Sequence, residues 1–135
     1  MKGFHPASSF GPDVAASYDD HPRGDEEAAA IFLSEMAGER PALEFAIGTG
    51  RIALPLAARG VQVDGIELSS HMIERLQAKP GGQQINITKG DMSSTITGRR
   101  YGLVYLVFNT IFNLLTAEDQ IRCFQNAAQH LEPDG

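Results

Sequence analysis

The sequence has no tryptophan, a single cysteine and no long apolar run. Each shortage excludes something. A lone Cys123 supports neither an intrachain disulfide nor a cysteine-rich metal cluster, and its place in a helical pattern makes it a small packing residue. No stretch approaches the roughly 20 apolar residues of a membrane-spanning helix. The N-terminus lacks a basic-then-apolar leader, so the expected compartment is the cytoplasm. Positive charge is also scarce: 11 Lys and Arg stand against 17 Asp and Glu, for a formal net charge of −6. Nucleic-acid and anionic-membrane surfaces need clustered basic residues, and Arg99-Arg100 is only a pair. His5, His21, His71 and His130 are dispersed, without metal-ligand spacing. Against these shortages, 42% of the 135 residues are hydrophobic, enough for the core of one domain.

The chain is organised around Leu43-Glu44-Phe45-Ala46-Ile47-Gly48-Thr49-Gly50-Arg51-Ile52-Ala53. This stretch reads as a buried strand, a tight glycine turn and the start of a helix. Glycines at 48 and 50 permit a backbone turn closed to other residues and let a ligand approach the chain. The following helix is expected to aim its amide N–H groups and dipole at that turn. Gly48-x-Gly50-x-x-Ala53 fits a dinucleotide fingerprint, with Glu67 near the roughly 20-residue separation of a ribose-binding acid. Glu44 argues against it. An unpaired acid inside a buried strand costs several kcal/mol, roughly, unless it serves a cationic ligand such as an ammonium group.

The remaining elements follow in order. Asp25 to Ala37 predicts a helix with acids in its first turn, an apolar face of Ala28, Ile31, Phe32, Leu33 and Met36, and a Gly38 stop. Strands are expected over Ala42 to Ile47, Val61 to Glu67 and Ile85 to Lys89, the last half exposed at a sheet edge. Between the first two, the helix after the glycine turn carries Ile52, Leu54, Leu56 and Ala57 and is expected to end before Gly60, with Pro55 tolerable only near its first turn or with a slight kink. A helix capped by Ser69 or Ser70 runs to Lys79, and His71 in its first turn faces solvent. Gly102 to Phe108 predicts a central strand buried on both faces. Thr116-x-x-Asp119 opens a last helix with Ile121, Phe124, Ala128 and Leu131 on one side. Strands alternating with helices predict an α/β fold.

Leu43 to Leu56 resembles motif I of the class I S-adenosylmethionine-dependent methyltransferases, an acid followed by Gly-x-Gly. The family often has a further glycine where this chain has Ala46. The resemblance implies a Rossmann-like three-layer sandwich with parallel strand order 3-2-1-4, continued in the family by strands 5-7-6. It spans about Ala42 to Gly135, ending on Leu131-Glu132-Pro133-Asp134-Gly135, similar to the family's Leu-x-Pro-Gly-Gly turn. Strands 5 to 7 are lacking, so strand 4 is expected to need a completing C-terminal segment or a second copy at its edge. The domain is expected over 25–135, preceded by an extended lid segment over 1–24.

The resemblance also distributes roles. Glu44, Ala46, Gly48 and Gly50 would hold the methionine end of S-adenosyl-L-methionine. Glu67, with Leu68 beside it, would bind the ribose hydroxyls, a task suited to a carboxylate at a strand end. Asp91 would accept from the adenine amino group, and the Met92 amide would contact a ring nitrogen. Tyr18 is a candidate lid residue over the cofactor. Phe108-Asn109-Thr110-Ile111 occupies motif IV, where methyl and acceptor meet. Tyr18, His21 and Asn109 are the candidates for catalysis, although an amide is no base and none of the three stands out. The implied reaction passes a methyl group to a small-molecule acceptor and leaves S-adenosyl-L-homocysteine. The alternatives are an NAD(P)-binding oxidoreductase domain and a cofactor-binding fragment without activity.

Overall fold

In the computed structural model, residues 26–106 and 116–135 are described. The elements are α1 (Glu26–Ala37), β1 (Ala42–Phe45), α2 (Ala53–Ala58), β2 (Val63–Glu67), α3 (Ser70–Ala78), β3 (Asn86–Lys89), β4 (Leu103–Tyr105) and α4 (Ala117–His130). A short 3-10 turn, Gly82–Gln84, leads into β3. The four strands form one sheet in the order β3-β2-β1-β4, all neighbours parallel. This is the order implied by the family resemblance. Parallel neighbours need crossovers, and α2 and α3 supply them between successive strands.

Strands β1 and β2 are buried along their whole length, so alternate side chains feed two separate apolar layers. Ala42, Ile47, Val63, Leu103 and Tyr105 pack with Ala30 and Leu33 of α1 and Leu56 of α2. Leu43, Phe45 and Ile66 pack on the other side with Met92, Tyr101 and Cys123. Strand β3 is half exposed, as its alternation predicts for an edge. The helix caps also follow the sequence. Ser69 Oγ accepts from the Met72 amide (3.3 Å), and Thr116 Oγ1 accepts from the Asp119 amide (3.0 Å).

Several expectations are corrected. Strand β1 ends at Phe45 because Ala46 turns to φ +51°, outside extended geometry. Strand β4 is, with β3, one of the two outer strands, and Val104 is only half buried, so β4 is not central among the described residues. Helix α1 buries Ala30, Leu33 and Ala37, while Ile31, Phe32 and Met36 face outward. Helix α4 inverts its expected face. Ile121 and Phe124 are 56% and 65% exposed, and the buried residues are Cys123, Asn126 and His130. The polar pair is buried because it has partners there. Asn126 Nδ2 donates to the carbonyls of Met92 and Thr95, His130 Nδ1 donates to the Asn126 carbonyl, and the Thr97 amide donates to His130 Nε2.

The C-terminal turn closes the same side. Leu131 bridges to Tyr101 in parallel, the Tyr101 amide donates to the His130 carbonyl (2.8 Å), and the Glu132 amide donates to the Tyr101 carbonyl (2.8 Å). A buried Asp64, at the opposite end of β2 from Glu67, accepts from Tyr101 Oη (2.7 Å) and from Arg99 Nη1 (3.1 Å).

Candidate functional site

The carboxyl ends of β1, β2 and β3 meet around the glycine loop. The Ile47 amide still donates to Ile66 (3.2 Å), so the loop leaves the sheet only after that bond. Gly48 and Gly50 then adopt φ +62° and +81°, conformations that side-chain-bearing residues rarely take. A Cβ built on Gly48 would meet nothing nearer than the Ala46 carbonyl oxygen at 3.9 Å. That open face is a cradle in which a ligand can lie against the backbone. Gly50 is different, since a Cβ there would press on Leu76 at 3.0 Å and Leu54 at 3.2 Å, so it serves packing as well as the turn.

The helix after the loop is shorter than its sequence suggested. Helix α2 has six residues, Ile52 at its N-cap makes no side-chain capping bond, and Pro55 falls in its first turn. A helix this short contributes little dipole, so the charges of the site come from its carboxylates.

Glu67 ends β2, is only 5% exposed, and ties the two loops together. Its Oε1 accepts from the Gly48 amide (2.8 Å) and its Oε2 from the Ser69 amide (2.9 Å). Burial pushes its carboxyl above the usual range, and the amides of Ser69, Gly48 and Leu68 pull it back toward the ionised form. Each carboxylate oxygen has two lone-pair sites, so a second donor on each, such as a ribose hydroxyl, is compatible with both amide bonds.

Glu44, in the middle of β1, is 2% exposed. Its register neighbours are Gly65 on β2 and Tyr105 on β4. Tyr105 Oη donates to Glu44 Oε1 (2.9 Å). Burial raises the Glu44 carboxyl well above its usual range; the Tyr105 bond opposes this, and the nearby Glu67 charge adds to it. Tyr105 in turn is raised well above an ordinary phenol by burial and by Glu44. Two buried acids that oppose each other's ionisation form a site that a cationic ligand would relieve, by favouring the ionised carboxylates.

The Gly90-Asp91-Met92 segment joins this edge through the Gly90 amide, which donates to the Glu67 carbonyl (3.0 Å). Asp91 Oδ1 accepts from the amide and hydroxyl of Ser93, at 2.8 and 2.7 Å, closing a local turn. Asp91 is exposed and Met92 is buried.

The structure therefore brings Glu44, Ala46, Gly48, Gly50, Glu67, Leu68, Asp91 and Met92 to one end of the sheet. Tyr18, His21, Phe108 and Asn109 lie outside the described residues. His71 is exposed in the first turn of α3. Two partners of the site were not foreseen. Tyr105 read as one more apolar strand position; the signal was Glu44 itself, which needs a donor when buried. Asn126 was hidden among the solvent-facing polar residues of α4.

Comparison with known proteins completes the description. Residues 42–135 match the family described as "Methyltransferase domain". Over 96 residues the chain is 34% identical to YqeM, a methyltransferase-type protein of Bacillus subtilis, covering 69% of this chain and 38% of that one. It is 27% identical to the dTDP-3-amino-3,6-dideoxy-alpha-D-glucopyranose N,N-dimethyltransferase of Streptomyces fradiae, covering 96% of this chain and 53% of that protein. Among solved structures, the CcbJ methyltransferase from Streptomyces caelestis superposes with a TM-score of 0.86 at 38% identity, over 93% of this chain and 54% of that one. The glycopeptide N-methyltransferase MtfA, complexed with S-adenosylmethionine, superposes at 0.71 with 27% identity, over 82% and 51%. The chain thus spans about half the length of most of these relatives, and 38% of YqeM.

Proposed function

The chain belongs to the methyltransferase-domain family, with the Rossmann-like class I fold, and from that membership we propose that it binds S-adenosyl-L-methionine and supports methyl transfer to a small-molecule acceptor. The observation that carries this reading is the pairing of two buried carboxylates, Glu44 and Glu67, beside an open glycine cradle. A dinucleotide pyrophosphate would oppose the ionisation of both carboxyls, whereas an ammonium would favour it and a pair of ribose hydroxyls find acceptors.

Glu44 attracts the ammonium of the methionine end, with the Ala46–Gly50 backbone alongside. Glu67 accepts the ribose hydroxyls, with Leu68 next to it. Asp91 accepts from the adenine amino group, and the Met92 amide donates to a ring nitrogen. For Tyr18 with the 1–24 segment, and for Phe108 with Asn109, all outside the described residues, the family resemblance implies the roles of a lid and of the methyl–acceptor junction. S-adenosyl-L-methionine, when bound, supplies an electrophilic methyl on a sulfonium. The residues of the chain hold and align it and exclude water, which is how a protein contributes to such a displacement. Tyr18 and His21 are the side chains to test for accepting a proton, and Asn109 the one to test for orienting the acceptor.

An amino sugar, the acceptor class named for the Streptomyces fradiae relative, is the first acceptor to assay. The outer edge of β4 has no neighbour among the described residues, and pairing there with a second copy is the assembly to test by light scattering.

Isothermal titration of the chain with S-adenosyl-L-methionine, S-adenosyl-L-homocysteine and NAD tests the cofactor. Both adenosyl amino acids bind, and Glu44→Gln and Glu67→Gln each weaken them about tenfold or more, the loss of a charge-assisted hydrogen bond. Tight NAD binding with no response to either adenosyl ligand would establish the oxidoreductase alternative instead.

A further inference from the structure

Asn126 is the most completely engaged polar side chain on α4. It is 1% exposed, and both hydrogens of its amide are used, on the Met92 carbonyl at 3.0 Å and the Thr95 carbonyl at 2.8 Å. Its Oδ1 accepts from Gln129 Nε2 at 2.6 Å, which fixes the amide the same way round. An asparagine is a middling helix former, and helix interiors ordinarily place it toward solvent. Here it is turned inward because the carbonyls it meets belong to a loop with no strand to pair them.

That loop is otherwise bound mainly to itself. The Ser94 and Thr95 amides donate to the Asp91 carbonyl, at 3.1 and 2.8 Å, and Ser93 closes on the Asp91 carboxylate. At one end the Gly90 amide anchors it to the Glu67 carbonyl. At the other, Asn126 grips two of its carbonyls, and Cys123, one turn earlier on α4, packs in the same apolar cluster as Met92.

We infer that Asn126 is a positioning residue for the base-binding loop: by clamping the Met92 and Thr95 carbonyls it sets the angle at which the Asp91 carboxylate and the Met92 amide are presented to an adenine. The inference rests on the adenine contacts proposed above. It makes the selectivity for the base depend on a helix that touches no part of the ligand. A clamp on two carbonyls of one short loop fixes its tilt, because rotation about the Glu67 anchor would break both bonds at once.

The test compares two probes that differ only in the base, S-adenosyl-L-homocysteine and S-inosyl-L-homocysteine, by titration calorimetry on the full chain. Inosine carries a carbonyl oxygen in place of the amino group and a protonated ring nitrogen, so it meets Asp91 and the Met92 amide with the wrong polarity. The wild-type chain prefers the adenosyl probe by about tenfold or more. Asn126→Leu reduces that preference to about threefold or less by weakening the adenosyl probe more than the inosyl one. Gln129→Leu, on an exposed side chain that releases only Oδ1 of Asn126, moves the preference the same way by a smaller factor and keeps the inference testable if Asn126→Leu does not fold. A merely structural Asn126 would weaken both probes equally. An unchanged base preference in the folded variants, whatever their melting temperature, overturns the inference.

Asp91→Asn separates the two levels. It retains an oxygen for the Ser93 turn while placing a donor where the adenine amino group would lie, so it also lowers the adenosyl preference. If Asp91→Asn alters the preference and the Asn126 and Gln129 variants do not, the adenine contacts stand and the clamp is wrong. If Asp91→Asn leaves the preference unchanged, the adenine contacts themselves fail, and the clamp falls with them.

Discussion

Replacing Tyr105 by Phe removes one oxygen from the interior and leaves its partner behind. In the native chain Tyr105 Oη donates to Glu44 Oε1 at 2.9 Å, with Tyr105 8% and Glu44 2% exposed. Water is therefore not at hand to replace the lost donor. Leaving a buried acceptor unsatisfied costs about 1–3 kcal/mol, toward the upper end when it is charged. The cost depends on pH, and the sign follows from the raised Glu44 carboxyl. A carboxyl whose folded-state pKa lies above its unfolded value contributes stability that is complete below the unfolded value and is lost as pH rises through the folded one. The Tyr105 bond lowers the folded value, so its removal raises it further and enlarges the loss at higher pH.

The expected result in urea unfolding is a loss of about 1–3 kcal/mol for Tyr105→Phe, larger near pH 8 than near pH 5. The upper end of that range is a midpoint shift of about 1 M or more. Combining it with Glu44→Leu removes both halves of the pair and recovers most of the loss, because two apolar groups leave nothing unsatisfied. A loss equal at both pH values, or a double variant as unstable as the sum of the singles, would refute the proposal that this bond is what keeps Glu44 in the sheet.

Other perturbations have definite signs. Ala46→Gly relieves a left-handed alanine, a strain of about 1–2 kcal/mol, against about 0.4–1 kcal/mol of added unfolded-state entropy, so the variant is expected to melt slightly higher. A lower melting temperature would contradict the φ of +51°. Gly65→Ala places a Cβ 2.5 Å from Ile47 Cδ1 and 2.9 Å from Ile47 Cβ, so part of the strand must shift. Overpacking of this kind costs about 1–3 kcal/mol, read as a drop in the urea midpoint. Cys123 is 1% exposed, and burial with the nearby Asp91 charge pushes its thiol up to about 11. Native protein near pH 8 should therefore react with a thiol reagent only slowly, and fully once unfolded in urea. Fast native labelling would place Cys123 at the surface.

Much of the fold was legible because burial in a parallel sheet is written into consecutive residues. Strand-like stretches read at 42–47, 61–67, 85–89 and 102–108, separated by glycine turns and capped helices, predict an α/β chain, and the acid-Gly-x-Gly stretch points to the family whose strand order the sheet adopts. The gathering of Glu44 near the end of β1, Glu67 at the end of β2 and Asp91 just after β3 was legible for the same reason, since the carboxyl ends of parallel strands lie together. Ala46 was legible only as a departure from the family's glycine; the structure adds that its φ is positive.

Which helix faces are buried was decided elsewhere. An amphipathic pattern ranks side chains by their own affinity for water, so it turned Ile121 and Phe124 of α4 inward, and Ile31, Phe32 and Met36 of α1 with them. The folded chain instead exposes all five and buries Asn126 and His130. A loop with unpaired carbonyls at Met92 and Thr95, and an unpaired amide at Thr97, needs polar partners, and α4 packs against it with its polar residues. That demand arises only when segments distant in sequence meet. The sequence alone determined the strands, their order through the family, and the end of the sheet at which Glu44, Glu67 and Asp91 gather. Tertiary structure decided which polar side chains lie inside, because the free energy of burying an amide or a carboxyl depends on a partner that another part of the chain provides.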